Sequence, residues 1–201
     1  MRVALWTDVR CPWTWVTARW LVGDVMTQRD VELDWRPMSL LLAKGIDPDH
    51  AQYDKFLFTH RLLRVLLAVK DREGNDGFTR AYLEFGTRVW TDRDWNFDIA
   101  AALLAAGLNP EDAAAADDDR WDAAIELSMA EAYELIGEGI GNTPILAVLD
   151  GQQTRALYGP VLSRLPAADQ SLRIWDATVT LIECNDTFAE LNRATPDLPE
   201  L

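Results

Sequence analysis

Few side chains in this sequence are placed to do covalent chemistry, and one cysteine leads them. Cys11-Pro12-Trp13-Thr14 stands where a short apolar run ends and a helix is expected to begin. A thiol at a helix N-terminus faces backbone N–H groups without intrahelical partners and the positive end of the helix dipole. Both favour the thiolate, which is the nucleophile. Pro12 suits the first helical position, where a missing N–H costs nothing. Thr14 follows one turn later, so its hydroxyl can reach the sulfur as a donor. Free cysteine is also among the most buried residue types, which leaves Cys11 open to a second reading as a small apolar filler. Cys184 lies in a stretch read as the last helix and is expected to be a half-buried filler. A resolving role would require its Cα to come within roughly 4.4–6.8 Å of that of Cys11. His60 falls on an apolar helix stripe and is expected to be a satisfied core or rim residue. His50, in Asp47-Pro48-Asp49-His50, is expected to be exposed. Trp13, Trp15, Trp20 and Trp90 read either as core or as an aromatic wall beside the thiol.

The composition narrows the classes of function. In 201 residues, Asp+Glu (33) outnumber Lys+Arg (19), giving a formal net charge of −14. That balance disfavours nucleic acid as a partner. With 49% hydrophobic and 9% aromatic residues, the chain is expected to fold around a core rather than stay disordered. No run is long and apolar enough for a membrane span, and the N-terminus lacks a signal-peptide pattern, so a cytoplasmic location is expected. Two cysteines in a reducing compartment do not predict a disulfide, and neither the Cys/His spacing nor Asp117-Asp118-Asp119 predicts a metal site. The bases are mostly arginine, which together with abundant Ala and Asp goes with a GC-rich genome.

The elements that must position Cys11 are legible in the pattern. Arg2 to Asp8 reads as a buried strand, and Trp13, Val16, Trp20, Leu21 and Val25 fall at helical spacing. Val31 to Arg36 alternates apolar and charged residues and reads as a strand stopped by Pro37. This βαβ unit predicts a parallel strand pair. A helical block of residues 50–139 follows. It is expected to be broken at Gly74-Asn75-Asp76-Gly77, with a further helix over Phe97 to Leu108 and caps at Asn109-Pro110 and Asp117-Asp119. Ile145 to Leu149 and Thr154 to Tyr158 flank Asp150-Gly151, a hairpin signal. A last helix is expected over Leu172 to Leu191, and the tail from Thr195 is expected to be loose.

A βαβ unit followed by ββα is the thioredoxin plan. The expected fold class is therefore α/β, with residues 1–49 and 140–194 forming a thioredoxin-like domain and 50–139 an inserted helical domain. Thr143-Pro144, just before the third strand, occupies the place where that plan carries a cis-proline facing the active-site loop.

Several stretches carry a resemblance to known proteins. They are Asp8 to Trp15, Arg19-Trp20, Met38-Ser39-Leu40, Gly141 to Pro144, Gly159-Pro160-Val161-Leu162-Ser163 and Trp175 to Thr180. Through them the sequence resembles DsbA-like thioredoxin-fold proteins and, more closely, the actinobacterial mycothiol-dependent nitroreductase family. The resemblance spans nearly the whole chain, and the helical block matches loosely. It implies catalytic roles for Cys11 and Thr14 and substrate binding at Pro12, Trp13, Thr143, Pro144 and Trp90. The family pattern is Cys-Pro-Trp-Cys, and Thr14 stands here at the second cysteine. Trp90 stands where the family tends to carry a histidine.

Three functions compete on this reading. The first is a monothiol oxidoreductase working through Cys11, with a low-molecular-weight thiol (mycothiol or glutathione) as co-substrate in place of the missing resolving cysteine. Its other substrate would be a small molecule or peptide, and no tightly bound cofactor is expected. The second is a thiol-dependent transferase or isomerase of the kappa-class glutathione transferase type, in which Thr14 would hold a cofactor thiolate. The third is a non-catalytic binding protein on an inherited fold. The sequence leaves substrate and oligomeric state open.

Overall fold

The computed structural model describes residues 1–137, 142–151, 153–187 and 196–201. Strand β1 (Arg2–Thr7) is followed by helix α1 (Pro12–Trp20), which runs on through a π turn at Leu21–Val25 into α2 (Met26–Gln28). Strand β2 (Glu32–Pro37) pairs parallel to β1, with Val3 opposite Leu33 and Leu5 opposite Trp35. On the other side of β1 lies β3 (Ile145–Leu149), antiparallel, with β4 (Thr154–Tyr158) antiparallel to it in turn. The sheet order is β2-β1-β3-β4, the thioredoxin arrangement that the βαβ and ββα halves predict. The central strands β1 and β3 are buried almost throughout, whereas β2 alternates, with Leu33 and Trp35 inward. That is why only β2 shows period-two patterning in the sequence.

Between the halves come α3 (Leu40–Ala43), α4 (Tyr53–Gly86), α5 (Ile99–Ala105) and α6 (Asp122–Ile136). The break expected in α4 falls at Gly74, with φ 68° and ψ −161°, values only glycine adopts readily. Asn109 caps a 3₁₀ segment at Pro110–Asp117, and Asp118 caps the short turn leading to α6. The helix expected from Phe97 starts at Ile99 instead, because the Asp98 side chain accepts the Ala101 N–H and fixes the start there. The single turn of α3, capped by Ser39, was too short to leave a periodic signal.

The C-terminal expectations need two corrections. The last helix, α7, spans Ala168–Glu183 and not Leu172 to Leu191. Thr178 and Thr180 stay helical by donating to the carbonyls of Ile174 and Asp176, and Cys184 ends the helix as its cap. Residues 188–191 of the expected helix, the whole of 188–195, Gly141 of the matched stretch, and Glu138-Gly139 after α6 lie outside the described residues. The tail past Thr195 is tied down rather than loose: Pro199 is buried and the Glu200 N–H donates to Ser163 O at 2.7 Å.

One apolar core runs from the sheet into the helical block. Trp35 of β2 stacks on Phe78 of α4 at 5.2 Å, and Trp15 of α1 meets Tyr82 of α4 at 6.2 Å. Most of the buried indoles anchor through their N–H. Trp6 donates to Ser128 O, Trp20 to Ser171 Oγ and Trp35 to Thr79 Oγ1, at 2.7–2.8 Å. Gly86 lies so close to Trp15 that a Cβ there would come within 2.3 Å of the ring, so α4 can lie against α1 only with glycine at this position. Among the described residues no helix is long and apolar enough to cross a membrane.

Candidate active site

Cys11 is the N-cap of α1, with extended backbone and Pro12 just inside the helix. The first β–α connection is tight because Asp8 organises it. The Cys11 N–H donates to Asp8 O at 3.0 Å and the Arg10 N–H to Asp8 Oδ1 at 2.8 Å. The other carboxylate oxygen accepts the Leu40 N–H at 2.7 Å, which locks α3 to the loop. Burial raises the Asp8 carboxyl to about 6, against the pull of the Leu40 and Arg10 N–H groups and of the Arg10 charge.

Thr143 closes the site from the opposite side. The Thr143-Pro144 bond is cis, as is Gly159-Pro160. The Cys11 thiol donates to Thr143 O at 3.2 Å, while Sγ accepts the Thr14 N–H at 3.4 Å. Gly159 N donates to Pro144 O, and Thr17 Oγ1 of α1 donates to Pro160 O, both at 2.8 Å, so the two proline loops are fixed over the helix. The Thr14 and Thr143 hydroxyls are buried without a well-formed hydrogen bond, and both ease ionisation of Cys11.

That easing does not prevail. Cys11 is 5% exposed, and burial pushes its thiol above the ordinary cysteine range despite the Thr14 and Thr143 groups and the Thr14 and Trp13 N–H donors. The expectation of a thiolate favoured at rest is therefore corrected. A helix end is visible in sequence, whereas Leu40, Leu41 and Phe56 packed against the sulfur are not. Desolvation of the charge outweighs the donors.

The structure brings Cys11, Pro12, Trp13, Thr14, Thr143 and Pro144 together. Trp13 is half-buried beside Cys11 in the small apolar cluster, whereas Trp15 and Trp20 belong to the main core. Trp90 reaches the same loop from α4's end: it is buried, its Nε1–H donates to Val9 O at 2.9 Å, and it carries Trp95 edge-on at 5.2 Å. Cys184 lies at the far end of α7, and both cysteines are free. It is exposed and not the half-buried filler expected, because α7 ends there and turns.

His60 is buried and satisfied. Ser39 Oγ lies 2.9 Å from Nδ1 and Asp122 Oδ1 lies 3.1 Å from Nε2, with Arg64 bidentate on Asp122. Burial lowers its pKa, more than Asp122 restores it, so the ring is neutral at pH 7. Ser39 is 0% exposed, so this Ser-His-Asp line braces α3, α4 and α6 and offers no nucleophile to solvent. His50 is exposed, its ring edge-on to Phe56 at 5.9 Å. A cavity of about 390 Å³ elsewhere is lined by Arg72, Asp112 and Trp121, and there Asp112 is already held by Arg72 at 2.7 Å.

Sequence reasoning missed Asp8 and Arg10 as parts of the site, though both stand in the quoted motif. An acid three residues before the thiol was the available signal. Its burial, and the aromatic partners of Arg10, come from distant elements and left no local trace.

A family model described as Rv2466c-like, mycothiol-dependent nitroreductase Rv2466c, matches residues 10–193. Among solved structures, the cytosolic disulfide reductase DsbM from Pseudomonas aeruginosa aligns at 13% identity and TM-score 0.61, over 90% of this chain and all of that one. A putative protein disulfide isomerase from Nitrosomonas europaea aligns at 12% identity and TM-score 0.62, over 88% of this chain and 97% of that one. A probable DsbA oxidoreductase from Streptomyces coelicolor aligns at 19% identity and TM-score 0.54, over 100% and 99%. At such identities these neighbours establish the DsbA-like thioredoxin fold.

Proposed function

This chain belongs to the Rv2466c-like family of mycothiol-dependent nitroreductases, and from that premise we propose that it is a monothiol oxidoreductase. Cys11 is the nucleophile, and a low-molecular-weight thiol of the mycothiol type takes the place of a resolving cysteine. The observation that carries this reading is the Cys11 sulfur at the start of α1, in hydrogen-bond contact with Thr143 O, with Thr14 where a second thiol would stand.

The steps balance without a second protein thiol. Cys11 loses its proton to water, and the thiolate attacks the mycothiol sulfur of a mixed disulfide. That S–S bond breaks, the substrate sulfur leaves as a thiolate and takes a proton from water, and a Cys11–mycothiol disulfide forms. A second mycothiol thiolate attacks the mycothiol sulfur of this disulfide and releases the Cys11 thiolate and oxidised mycothiol. The substrate gains two electrons, which two mycothiols supply. The chain's own residues position and ease this exchange. The N–H of Thr14 and the hydroxyls of Thr14 and Thr143 favour the sulfur as it gains charge. Pro12 and Trp13 border the approach, and Thr143-Pro144 presents backbone to the incoming group. Trp90 holds the Val9 carbonyl and so the loop.

The transferase reading asks Thr14 to meet a cofactor thiolate from solvent. Thr14 is 0% exposed, so its hydroxyl is closed to a thiolate arriving from solvent.

The test is incubation of the protein with oxidised mycothiol, followed by intact mass. We expect a single mycothiol adduct in the Cys184→Ser protein and none in Cys11→Ser/Cys184→Ser, where the exposed second thiol is also gone. No adduct in Cys184→Ser, or an adduct of equal extent in Cys11→Ser/Cys184→Ser, would overturn the proposal.

A further inference from the structure

We propose that the disulfide presented to Cys11 carries an apolar organic acid on its leaving sulfur, that acid bound by Arg10 and Lys55 and its apolar body resting on Trp13, Ile46, Tyr53 and Leu57. This inference rests on Cys11 being the nucleophile and adds the class of compound that it attacks.

The charge pattern comes first. Cations are scarce in this chain, and most are spent. Arg36, Arg64, Lys70, Arg72 and Arg88 each hold a carboxylate at 2.6–2.8 Å. Arg10, Lys44 and Lys55 are among the described cations that make no ion pair, as are Arg19, Arg93 and Arg173, and these first three belong to the segments around the Cys11 loop. Arg10 precedes Cys11 in the chain. Lys55 shares the Trp95 ring with Arg10, its Nζ 4.9 Å from the centroid. Lys44 donates to Asn142 Oδ1 at 2.8 Å, next to the Thr143 that closes the site. In a protein of net charge −14, Arg10 and Lys55 put cations on one side of the sulfur, on a segment that also carries the exposed carboxylates Asp47, Asp49 and Asp54.

Arg10 is also built to read an acid. Its guanidinium lies 4.5 Å from the Phe56 centroid and 4.6 Å from that of Trp95, so aromatic faces cover it. A guanidinium is a planar fork that tolerates such stacking and suits carboxylate geometry. Nη2 donates to Gln52 Oε1, and Nε is buried with no partner. Burial draws this cation down from its ordinary range, while the charges of Asp8 and Cys11 hold it up. Asp8 does not occupy the fork, because its two oxygens accept the N–H groups of Arg10 and Leu40. Arg10 as a whole is half-buried, so an anion arriving at the part of the fork left open to solvent gains a charge-assisted hydrogen bond from a partly desolvated, stacked cation.

The floor beside it is apolar. Buried Cys11, Leu40, Leu41 and Phe56 form a cluster apart from the main core, and the four residues named above pack against it while staying partly exposed. A hydrated inorganic anion would leave that surface unused, whereas an aryl or alkyl acid covers it and places its acid beside Arg10 and Lys55.

Two disulfides test this, in the full-length Cys184→Ser protein so that only Cys11 reacts. One is 5,5′-dithiobis(2-nitrobenzoate), an aryl dianion, and the other is neutral 4,4′-dithiodipyridine. With each, the Cys11 thiolate breaks the S–S bond, forms an aryl mixed disulfide and expels an arylthiolate that is read by absorbance. The proposal expects the rate ratio, dianion over neutral, to fall at least about tenfold in Arg10→Gln/Lys55→Gln and severalfold in Lys55→Gln alone. Lys55 is exposed, so that single variant does not depend on the fold. Salt supplies a sign that needs no variant. The global charge alone would make added salt speed the dianion, whereas the two local cations make salt slow it. An unchanged ratio, or acceleration by salt, while the neutral reagent still modifies Cys11, overturns the inference and leaves the monothiol reading standing. Reaction with neither reagent removes both.

Discussion

At the scale of single residues the site turns on two buried acids, a thiol and a carboxyl, both pushed up by desolvation. Cys11 at rest is a thiol that donates to Thr143 O, so its reactivity is held in reserve until it ionises. The rate of its alkylation by iodoacetamide in Cys184→Ser is therefore expected to climb with pH through about 9. A plateau reached near neutrality would contradict the burial argument. Asp8 makes its own prediction through linkage. Its folded pKa of about 6 lies above the ordinary 3.8, so between those values the folded state binds more protons than the unfolded state. The contribution to stability is then full below 3.8, declines as pH rises, and levels off above 6, a span of about 3 kcal/mol. Asp8→Asn removes this decline while losing one accepted N–H at every pH. The stability of Asp8→Asn relative to the parent, from urea unfolding, is expected to improve by about that amount between pH 3.5 and 7. Parallel curves would show that Asp8 does not carry the load. His60 acts oppositely, since a lowered base pKa makes stability rise with pH towards 6.5, and only the difference between the two proteins isolates Asp8.

At the scale of elements, the position of the thiol depends on how closely α4 lies against α1. Gly86 makes that approach possible, and the Trp15 ring it faces is 4% exposed and backed by Tyr82. Gly86→Ala gains roughly 1 kcal/mol of helix propensity but drives a Cβ into a ring with nowhere to go. A net loss of about 1–3 kcal/mol is expected by chemical denaturation. Gly23, exposed in the π turn with nothing within 4 Å, is the control, and alanine there is expected to be neutral or stabilising. Equal effects at both positions would mean that the close approach is not real. The same scale explains what was legible in the sequence. Period-two alternation marked β2, and helical spacing with Pro12 marked α1, because those signals are local. The turn of α3 carries Ser39 and Leu40 against the Cys11 loop, but four residues do not make a period. The Phe56 and Trp95 faces that enclose Arg10 come from α4 and the segment before α5, so the cation looked like any other surface arginine.

The whole molecule reads as a thioredoxin plan with helices inserted, and the packing explains why the insertion belongs to the site. Trp35 on Phe78 and Trp15 on Tyr82 cross the boundary between residues 1–49 and 50–139, and α4's end delivers Trp90 to Val9 O. The order of elements predicted the sheet correctly, since a βαβ crossover and a hairpin leave few ways to close it. Burial at the thiol could not be predicted that way, because it depends on α3 and α4 converging over α1. The molecule also keeps its two thiols on different parts of the fold, Cys11 opening α1 and Cys184 closing α7. The central claim is that the second thiol of the cycle comes from solution. It is tested most directly by loading Cys11 with mycothiol, adding reduced mycothiol, and timing loss of the adduct by intact mass in the parent and in Cys184→Ser. The account predicts equal release rates in the two proteins, proportional to added mycothiol. Release that is lost in Cys184→Ser, or that proceeds without added thiol, would contradict it.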